Sequence, residues 1–297
     1  LLLLALIIFG FYPWCFQVTC TITGEPGGFW SLFFCYIVFS VISGIPEAIL
    51  SIPFSLYNEF SIEKRFGFSN MTLKLWIIDE IKSIFVGLII FLLLGAAMAV
   101  AFTFFENSWW IIVSAVLIAF ILLAQIIYPK FIAPLFNKFE PLPEGELRNK
   151  LEALLIKTGF KNDGLFVMDA SKRSGHSNAY FSGFGKTKRV VLYDTLINQM
   201  TPDELVAVLG HELGHFKLKH ILKNLILTFP LTVLGIFVLF KFSQIPSLYE
   251  AFGFEVPDEG LKWIQFIGIT LLTTVWGALS ELLSPLGPFP VHTIFLP

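Results

Sequence analysis

Long apolar runs separated by short polar stretches set the pattern of this chain. Most of the runs reach the roughly 20 residues that a helix needs to cross a bilayer. Six such runs cover residues 1–14, 29–56, 78–105, 108–128, 221–242 and 261–284. The first run is short and lacks a basic n-region, so we interpret it as the remainder of a span and not as a signal peptide. The pattern predicts a mainly α-helical, multi-pass membrane protein, with four spans in residues 1–128 and two in residues 221–284.

Residues 129–220 form the long polar stretch of the chain, and they predict a small α+β domain outside the membrane. An amphipathic helix is expected from Glu144 to about Thr158. Three further stretches predict short strands, at residues 165–167, 178–181 and 189–193. Gly183 and Gly185 lie between the last two strands, as the loop of a hairpin requires.

Composition and charge agree with a membrane location and orient the chain. Only 14% of the residues are charged, whereas soluble domains average about 25%. Of the 20 Lys and Arg residues, all except Lys241 and Lys262 fall on the same side of the six predicted spans as residues 129–220. The positive-inside rule makes that side cytosolic. The net charge of −2 gives no indication of nucleic-acid binding.

The cysteines, Cys15, Cys20 and Cys35, do not suggest a metal site. Cys15 and Cys20 share the predicted loop at residues 15–28, so a disulfide between them is one interpretation. Buried or free thiols are the alternative that this spacing favours. The predicted spans place all of these cysteines across the membrane from residues 129–220.

The segment His211-Glu212-Leu213-Gly214-His215 carries the candidate chemistry. Histidines four positions apart share a helix face, so both imidazoles can bind one Zn²⁺ ion that keeps a position open for water. Glu212 lies between them and can accept a proton from that water. The alternative is a structural histidine pair, since so short a motif also arises by chance.

Residues ahead of the motif predict where its helix begins. Thr201 is a candidate N-cap, Pro202 suits the first helical position and Glu204 completes a capping box. An apolar stripe follows, at Leu205, Leu209 and Leu213.

His176 and Asn178 lie where the second predicted strand begins. A strand edge beside a metal-binding helix can bind an extended substrate through main-chain hydrogen bonds. Because Ser, Asn and Gly are also ordinary turn residues, the residues alone favour a turn role for His176 and Asn178.

Several separate stretches resemble, in order, the type 1 CAAX prenyl protease family of integral-membrane zinc metalloproteases of the endoplasmic reticulum. They include Pro53-Phe54-Ser55-Leu56-Tyr57, His176-Ser177-Asn178-Ala179-Tyr180-Phe181 and the zinc motif itself. The others are residues 62–68, 128–143, 172–173, 183–195 and 211–220. The resemblance covers most of residues 29–225.

The resemblance implies a ring of membrane helices around a chamber, with one Zn²⁺ ion on its cytosolic side and membrane lipid outside. It implies His211 and His215 as zinc ligands and Glu212 as the general base. It also makes Asn178 a substrate-orienting residue, against the turn role above. The implied substrate is a prenylated (farnesylated) CAAX protein, which loses its last three residues.

Two features depart from the family pattern. The family has seven spans where six are predicted here, and its third zinc ligand is a glutamate in a Glu-x-x-x-Asp context on a later helix. Nothing after Glu281 resembles that context, and the proline-rich tail at residues 285–297 cannot continue a helix. Glu281 is a candidate substitute ligand, and His292 is a second one. A helix-end or chamber-lining carboxylate is the favoured alternative for Glu281.

Two functions of different classes follow. The first is a zinc-dependent endopeptidase acting on prenylated CAAX proteins. The second is a non-catalytic or truncated membrane protein of the same fold with an incomplete zinc site. The sequence contains neither internal repeats nor paired broken helices, which argues against a transporter.

Overall fold

The structure, a computed structural model, describes residues 2–160, 163–182, 189–218, 220–256 and 264–283. The helices are α1 (Leu2–Ile8), α2 (Phe11–Thr23), α3 (Phe29–Tyr57), α4 (Leu73–Phe104), α5 (Trp109–Ile127), α6 (Ala133–Phe136), α7 (Glu146–Thr158), α8 (Asp194–Gln199), α9 (Pro202–Lys217), α10 (His220–Phe242), α11 (Pro246–Ala251) and α12 (Gln265–Leu283). The strands are β1 (Phe139–Pro141), β2 (Leu165–Met168), β3 (Ala179–Ser182) and β4 (Arg189–Tyr193). Two π-helical segments follow α3 and α5, at Asn58–Glu63 and Tyr128–Ile132.

All six predicted apolar runs are mainly helical where the structure describes them, and the first is interrupted at residues 9–10. Four stretches are long and apolar enough to cross a membrane, namely Phe29–Glu63, Leu73–Phe104, Trp109–Phe136 and Leu222–Phe242, and the bent pair of α1 and α2 would make a fifth. The apolar part of α12, Gln265–Ser280, is shorter than a span. The described residues therefore do not reach the predicted count of six. Residues 257–263, where the sixth run was expected to begin, lie outside them.

Large apolar side chains remain exposed along the long helices. Ile84, Phe85 and Leu93 of α4 are 67%, 64% and 67% exposed in the protein alone. Apolar surface of this extent is unusual for a soluble monomer and is expected where a helix faces lipid.

The first predicted run is broken at Gly10, where α1 and α2 meet at 66°. Gly10 has a φ of 64°, a left-handed conformation that glycine adopts without the strain of a side chain. Helix α2 then continues to Thr23, so the prediction of a loop over residues 15–28 was wrong for residues 15–23 and holds for residues 24–28. The reason is local, since the hydroxyls of Thr19 and Thr23 donate to carbonyls four residues back and are thereby satisfied within the helix. Cys15, Cys20 and Cys35 are free thiols, which confirms the favoured alternative, and the disulfide interpretation was wrong.

The chain divides into two compact units. The first comprises Leu1–Ala48, Leu92–Val116 and Leu231–Pro297, and the second comprises Ile49–Phe91 and Leu117–Pro230. Within the first unit, Trp109 is fully buried and its indole N–H donates to Oε1 of Gln265 at 2.8 Å. Phe102 and Phe240 pack against the Trp109 ring, which makes this indole the centre of an aromatic core.

The second unit contains a four-stranded sheet of order β1-β2-β4-β3. Strands β2 and β4 are parallel, and the other two pairs are antiparallel. The three predicted strands and helix α7 are confirmed, as is the hairpin of β3 and β4, whereas β1 was missed. Gly183 and Gly185 lie outside the described residues. Among the residues that the structure describes, strand β3 is an edge of the sheet, and no other strand pairs with its second side.

One face of the sheet packs against α7 and α9 around a single apolar core. Its buried members are Leu142, Leu151, Leu155, Phe160, Leu165, Ala179, Val190, Leu192, Leu196, Leu205, Leu209 and Leu213. The predicted stripe of α9, Leu205, Leu209 and Leu213, is at most 4% exposed. Burial of each such leucine contributes about 2 kcal/mol, and together they fix the rotation of α9 against the sheet.

Candidate active site on helix α9

Helix α9 begins with the predicted capping box. The backbone N–H and the hydroxyl of Thr201 both donate to Oε2 of Glu204, at 2.8 Å each. In return, the Glu204 N–H lies 3.5 Å from Oγ1 of Thr201. The Thr201 backbone N–H is the main reason that the pKa of the Glu204 carboxyl is lowered. The first turn of α9 is therefore held by its own side chains, and Pro202 occupies the first helical position as predicted.

The motif lies in the unbroken last part of α9. Each helical residue turns the chain by about 100°, so His211 and His215 share a face on the far side of α9 from the leucine stripe. His211 is exposed and Glu212 is half-buried. For His215 the structure gives the helical backbone one turn beyond His211. Packing of the leucines thus places the positions of His211 and His215 on the helix face away from the core.

The free edge of β3 lies beside this helix. Ala179 of β3 is buried in the same apolar core as Leu209 and Leu213 of α9. The carbonyl of Asn178 accepts a hydrogen bond from the N–H of Tyr193 in β4 at 3.0 Å. Because backbone groups alternate in direction along an antiparallel strand, those of Ala179 and Phe181 point to the free side. An extended peptide can pair with them there.

Asn178 lies immediately before β3 and is exposed. Its Oδ1 accepts a hydrogen bond from the N–H of Ala179 at 2.8 Å, which is the free-edge donor nearest to the start of the strand. The carboxamide therefore occupies the position that a peptide carbonyl would take. Next along the strand, burial raises the pKa of the Tyr180 phenol to about 12, so this hydroxyl stays neutral at physiological pH.

His176, the other residue singled out ahead of β3, is held from two directions. Its ring stacks on that of Phe68 with the centroids 4.3 Å apart, and its Nε2 lies 3.2 Å from Oε2 of Glu63. The hydroxyl of Thr195 in α8 donates to the carbonyl of His176 at 2.9 Å. These contacts fix the chain that leads into β3.

Arg173 lies in one of the stretches that resemble the family, but the sequence did not indicate what this residue does. Its Nε and Nη2 donate to the two carboxylate oxygens of Asp79 in α4, at 2.7 and 3.0 Å. Its Nη1 donates to Oδ1 of Asn137 at 3.0 Å. The side chains of Arg173 and Asp79 are 16% and 15% exposed. No local sequence pattern predicts this ion pair, because Asp79 and Arg173 are 94 positions apart.

A third metal ligand is not identified. Within the part of the chain that the structure describes, no three His, Cys, Asp or Glu side chains form a group that could hold a metal ion. That part does not include the side chain of His215. Glu281 lies in the last turn of α12 and belongs to the first unit, and its side chain is also outside the described set. His292 lies outside the described residues.

Comparisons with known proteins cover nearly the whole chain. Residues 1–138 match a family model described as the CAAX prenyl protease N-terminal region with five membrane helices. Residues 141–286 match peptidase family M48. The two matches meet at β1, the first strand of the sheet.

Individual relatives agree with these matches. CAAX prenyl protease 1 of Saccharomyces cerevisiae is 42% identical over 249 residues, which are 81% of this chain and 54% of the yeast protein. The homologue from Oryza sativa is 44% identical over 214 residues, covering 70% of this chain and 49% of the rice protein. The crystal structure of S. mikatae Ste24p superposes with a TM-score of 0.80 at 34% identity, covering 95% of this chain and 68% of that one. The chain spans about half the length of the curated relatives it matches.

Proposed function

Because this chain belongs to the CAAX prenyl protease family within peptidase family M48, we propose that it is a zinc-dependent endopeptidase. The proposed reaction removes the C-terminal tripeptide from prenylated CAAX proteins. The observation that carries the proposal is the placement of the His211–His215 motif on a helix whose core is shared with a free strand edge. A peptidase needs both features, one for the chemistry and one for holding the peptide extended.

The donors present fit a zinc ion. His211 and His215 lie one turn apart on a face of α9 turned away from the leucine core, and imidazole nitrogens are preferred zinc ligands. When bound there, zinc would polarise the scissile carbonyl and lower the pKa of a water molecule. These two histidines are the identified donors. Glu281 is a candidate for the third donor, with a helix-end carboxylate that does not bind zinc as the favoured alternative.

Glu212 is proposed as the general base. Its carboxylate lies between the histidines in sequence and is half-buried, so it is accessible but partly shielded from bulk water. It would accept the proton of the attacking water at a carboxylate oxygen and return that proton to the leaving amine.

Strand β3 is proposed to bind the peptide and Asn178 to orient it. The outward backbone groups of Ala179 and Phe181 offer a row of donors and acceptors to an extended chain. The Asn178 carboxamide already bonds to the Ala179 N–H and would exchange that bond for one to the peptide backbone. This exchange would fix the position of the scissile carbonyl beside α9.

The proposed location is the endoplasmic reticulum membrane, with residues 129–220 as a catalytic region on the cytosolic side and membrane lipid around the spans. The charge asymmetry supports this orientation. A farnesyl chain partitions into apolar surroundings, which accounts for a peptidase with exposed apolar helices.

The second candidate function is a non-catalytic membrane protein of the same fold. It is favoured by one observation, that residues 282–297 contain no Glu-x-x-x-Asp context for a third zinc ligand. Zinc content and activity of the chain with the Glu-x-x-x-Asp segment of a relative appended separate the two candidates, because only a peptidase should gain both from the added ligand.

Cleavage of a farnesylated CAAX peptide tests the proposal, with the chain alone and with the Glu-x-x-x-Asp segment of a relative appended. Glu212→Gln should retain zinc yet lose turnover by about 100-fold or more, because it removes the base and leaves both imidazoles. Asn178→Ala should lower turnover by up to about 100-fold without lowering the yield of folded protein. Asn149→Ala, which removes an exposed amide from α7, is the control. It should change neither the turnover nor the yield of folded protein. Full activity of Glu212→Gln would refute the mechanism.

A further inference from the structure

Tyr193, the last residue of β4, lies opposite Asn178 at the open end of the hairpin of β3 and β4. The strand register pairs Ala179 with Leu192, which sets Asn178 across from Tyr193 one position further on. The N–H of Tyr193 donates to the carbonyl of Asn178 at 3.0 Å. Directly opposed residues of an antiparallel pair have Cβ atoms about 4.5–5.5 Å apart and on the same face of the sheet. The two side chains are therefore neighbours across the hairpin.

Helix α8 begins directly after β4 and holds the chain that leads into β3. The hydroxyl of Thr195 donates to the carbonyl of His176 at 2.9 Å. One residue further along, the hydroxyl of Ser177 donates to Oε1 of Gln199 at 2.6 Å. Two successive residues ahead of the asparagine are thus bonded to the helix that follows the tyrosine. These bonds fix the two backbones relative to each other.

The ring of Tyr193 is held by a second tyrosine. Its centroid lies 6.2 Å from that of Tyr180 in β3, and the two ring planes meet at 87° in an edge-to-face contact. Tyr180 is two residues after Asn178 and therefore lies on the same face of the sheet. Burial is the main reason that the pKa of the Tyr193 phenol is raised, so its oxygen keeps a proton at physiological pH. A neutral, half-buried hydroxyl therefore lies beside an exposed carboxamide.

The carboxamide of Asn178 has one of its two ends already bonded. Its Oδ1 accepts from the N–H of Ala179 at 2.8 Å, so Nδ2 is the end that can donate. Burial has the largest effect on the pKa of the Tyr193 phenol and raises it, whereas a side-chain hydrogen bond with Asn178 lowers it. A donor to the phenol oxygen has this lowering effect because it stabilises the charged form. The direction of the effect therefore agrees with a bond from Nδ2 to the phenol oxygen.

We propose that Tyr193 is a positioning residue of the peptide site, whose hydroxyl accepts a hydrogen bond from Nδ2 of Asn178 and so holds the carboxamide in one orientation. This inference rests on the proposed function, in which Asn178 orients the substrate. A carboxamide turned end for end would set Nδ2 against the N–H of Ala179, donor against donor. When a peptide replaces the Ala179 N–H at Oδ1, the bond to the phenol oxygen remains. The Oδ1 acceptor then stays directed at the β3 edge.

Tyr193→Phe tests this role, because it removes the hydroxyl and keeps the ring against Tyr180. Kinetics are measured with a farnesylated CAAX peptide and the form of the protein that cleaves it, the chain alone or with the Glu-x-x-x-Asp segment of a relative appended. The variant should lower kcat about threefold to tenfold, the range of one hydrogen bond, and change KM by less than roughly twofold. In the Asn178→Ala background, Tyr193→Phe should lower kcat no further, because the side chain through which it acts is gone.

Tyr249→Phe is the matched control, because it also removes a phenol hydroxyl that makes a hydrogen bond. The Tyr249 hydroxyl donates to the carbonyl of Ser243 at 2.6 Å within the first unit. This variant should lower the unfolding temperature and leave kcat unchanged. If Tyr193→Phe behaves in the same way, its hydroxyl has a structural role only and the proposal is overturned. Losses of kcat that multiply in the Asn178→Ala/Tyr193→Phe double variant overturn it as well.

Hydrogen exchange at the Asn178 side-chain amide is a readout that needs no turnover. It is followed by NMR in protein with isotope-labelled asparagine, and the signal is identified by its loss in Asn178→Ala. The Nδ2 hydrogens should exchange about threefold faster or more in Tyr193→Phe than in wild type or Tyr249→Phe, because the bond to the phenol oxygen is lost. Equal exchange in all three proteins overturns the positioning role even where the peptide is cleaved. Absence of cleavage by every form overturns the proposed function, and the exchange rates then decide the role of Tyr193 by themselves.

Discussion

Arg173 holds both carboxylate oxygens of Asp79, with its Nε and Nη2 at 2.7 and 3.0 Å. Asp79 lies near the start of the long helix α4, and Arg173 lies in the chain that leads into the edge strand β3. The pair therefore ties a membrane-spanning helix to the proposed peptide-binding strand within the second unit.

Replacing only one member of this pair should lower the free energy of unfolding substantially. Asp79→Ala leaves a largely buried guanidinium without its partner and should lower the free energy of unfolding by about 3 kcal/mol or more. Arg173→Lys should also destabilise, since an ammonium cannot make the paired contact. Denaturant unfolding in detergent measures both. Glu80→Ala, an exposed acid one position along α4, should change stability by less than about 0.5 kcal/mol. Equal effects of Asp79→Ala and Glu80→Ala would contradict the assignment.

The pH dependence of α9 should follow its capping box. The pKa of Glu204 is lowered by the Thr201 backbone N–H and, second, by the Thr201 hydroxyl. Because the folded pKa lies below the ordinary value of 4.5, the contribution is complete above that pH and is lost as the pH falls through the folded value. The difference in unfolding temperature between wild type and Glu204→Gln should thus be largest at neutral pH and vanish in acid. Thr201→Ala keeps the backbone donor and should retain most of this acid sensitivity.

Local patterns predicted those parts of the fold that depend on neighbouring residues. The apolar runs, the capping box and the leucine stripe of α9 are all properties of short segments, and the structure confirms them. The same reasoning failed at residues 15–23, because threonines usually found in loops here satisfy their hydroxyls within α2.

The parts that were missed depend on contacts between distant residues. Nothing near Asp79 indicates that Arg173 will meet it, and nothing near Ser69 indicates the bridge to Ser174. Strand β1 has only three residues and is defined by its pairing with β2. For the candidate site, the sequence identified His211, Glu212 and His215 from their spacing. The edge position of β3 beside them was expected only from the family resemblance and not from the residues themselves, because strand order is a tertiary property.

The orientation of the chain can be checked by labelling. An exposed cysteine introduced at Asn149 in α7 should react with an impermeant reagent from the cytosolic side, and one at Ser247 in α11 only from the opposite side. The asymmetry of Lys and Arg is the reason. The unsubstituted chain is the control for its own thiols, of which Cys15 and Cys35 are buried. Reaction of both introduced cysteines from one side would contradict the predicted arrangement of spans.

Glu281 is a candidate substitute zinc ligand, but the favoured alternative is a helix-end carboxylate, and we expect that it does not bind the metal. It lies in the last turn of α12, where the negative end of the helix dipole disfavours a carboxylate. Glu281→Gln should therefore leave the unfolding temperature equal or slightly higher. With only His211 and His215 as identified donors, the purified chain should retain well under one zinc per molecule after dialysis, since stable zinc sites have at least three protein ligands.

Metal analysis of four proteins decides this point. His211→Ala should remove the zinc that the wild-type chain retains, because each imidazole is one of two identified donors. Glu281→Gln should retain as much zinc as wild type, and so should Glu250→Gln, an exposed acid of α11 that serves as the control. If Glu281→Gln instead loses zinc as completely as His211→Ala while its unfolding temperature is unchanged, Glu281 is the third ligand. A complete donor set would then lie within this chain, and the proposed peptidase would need no further residue to hold its metal.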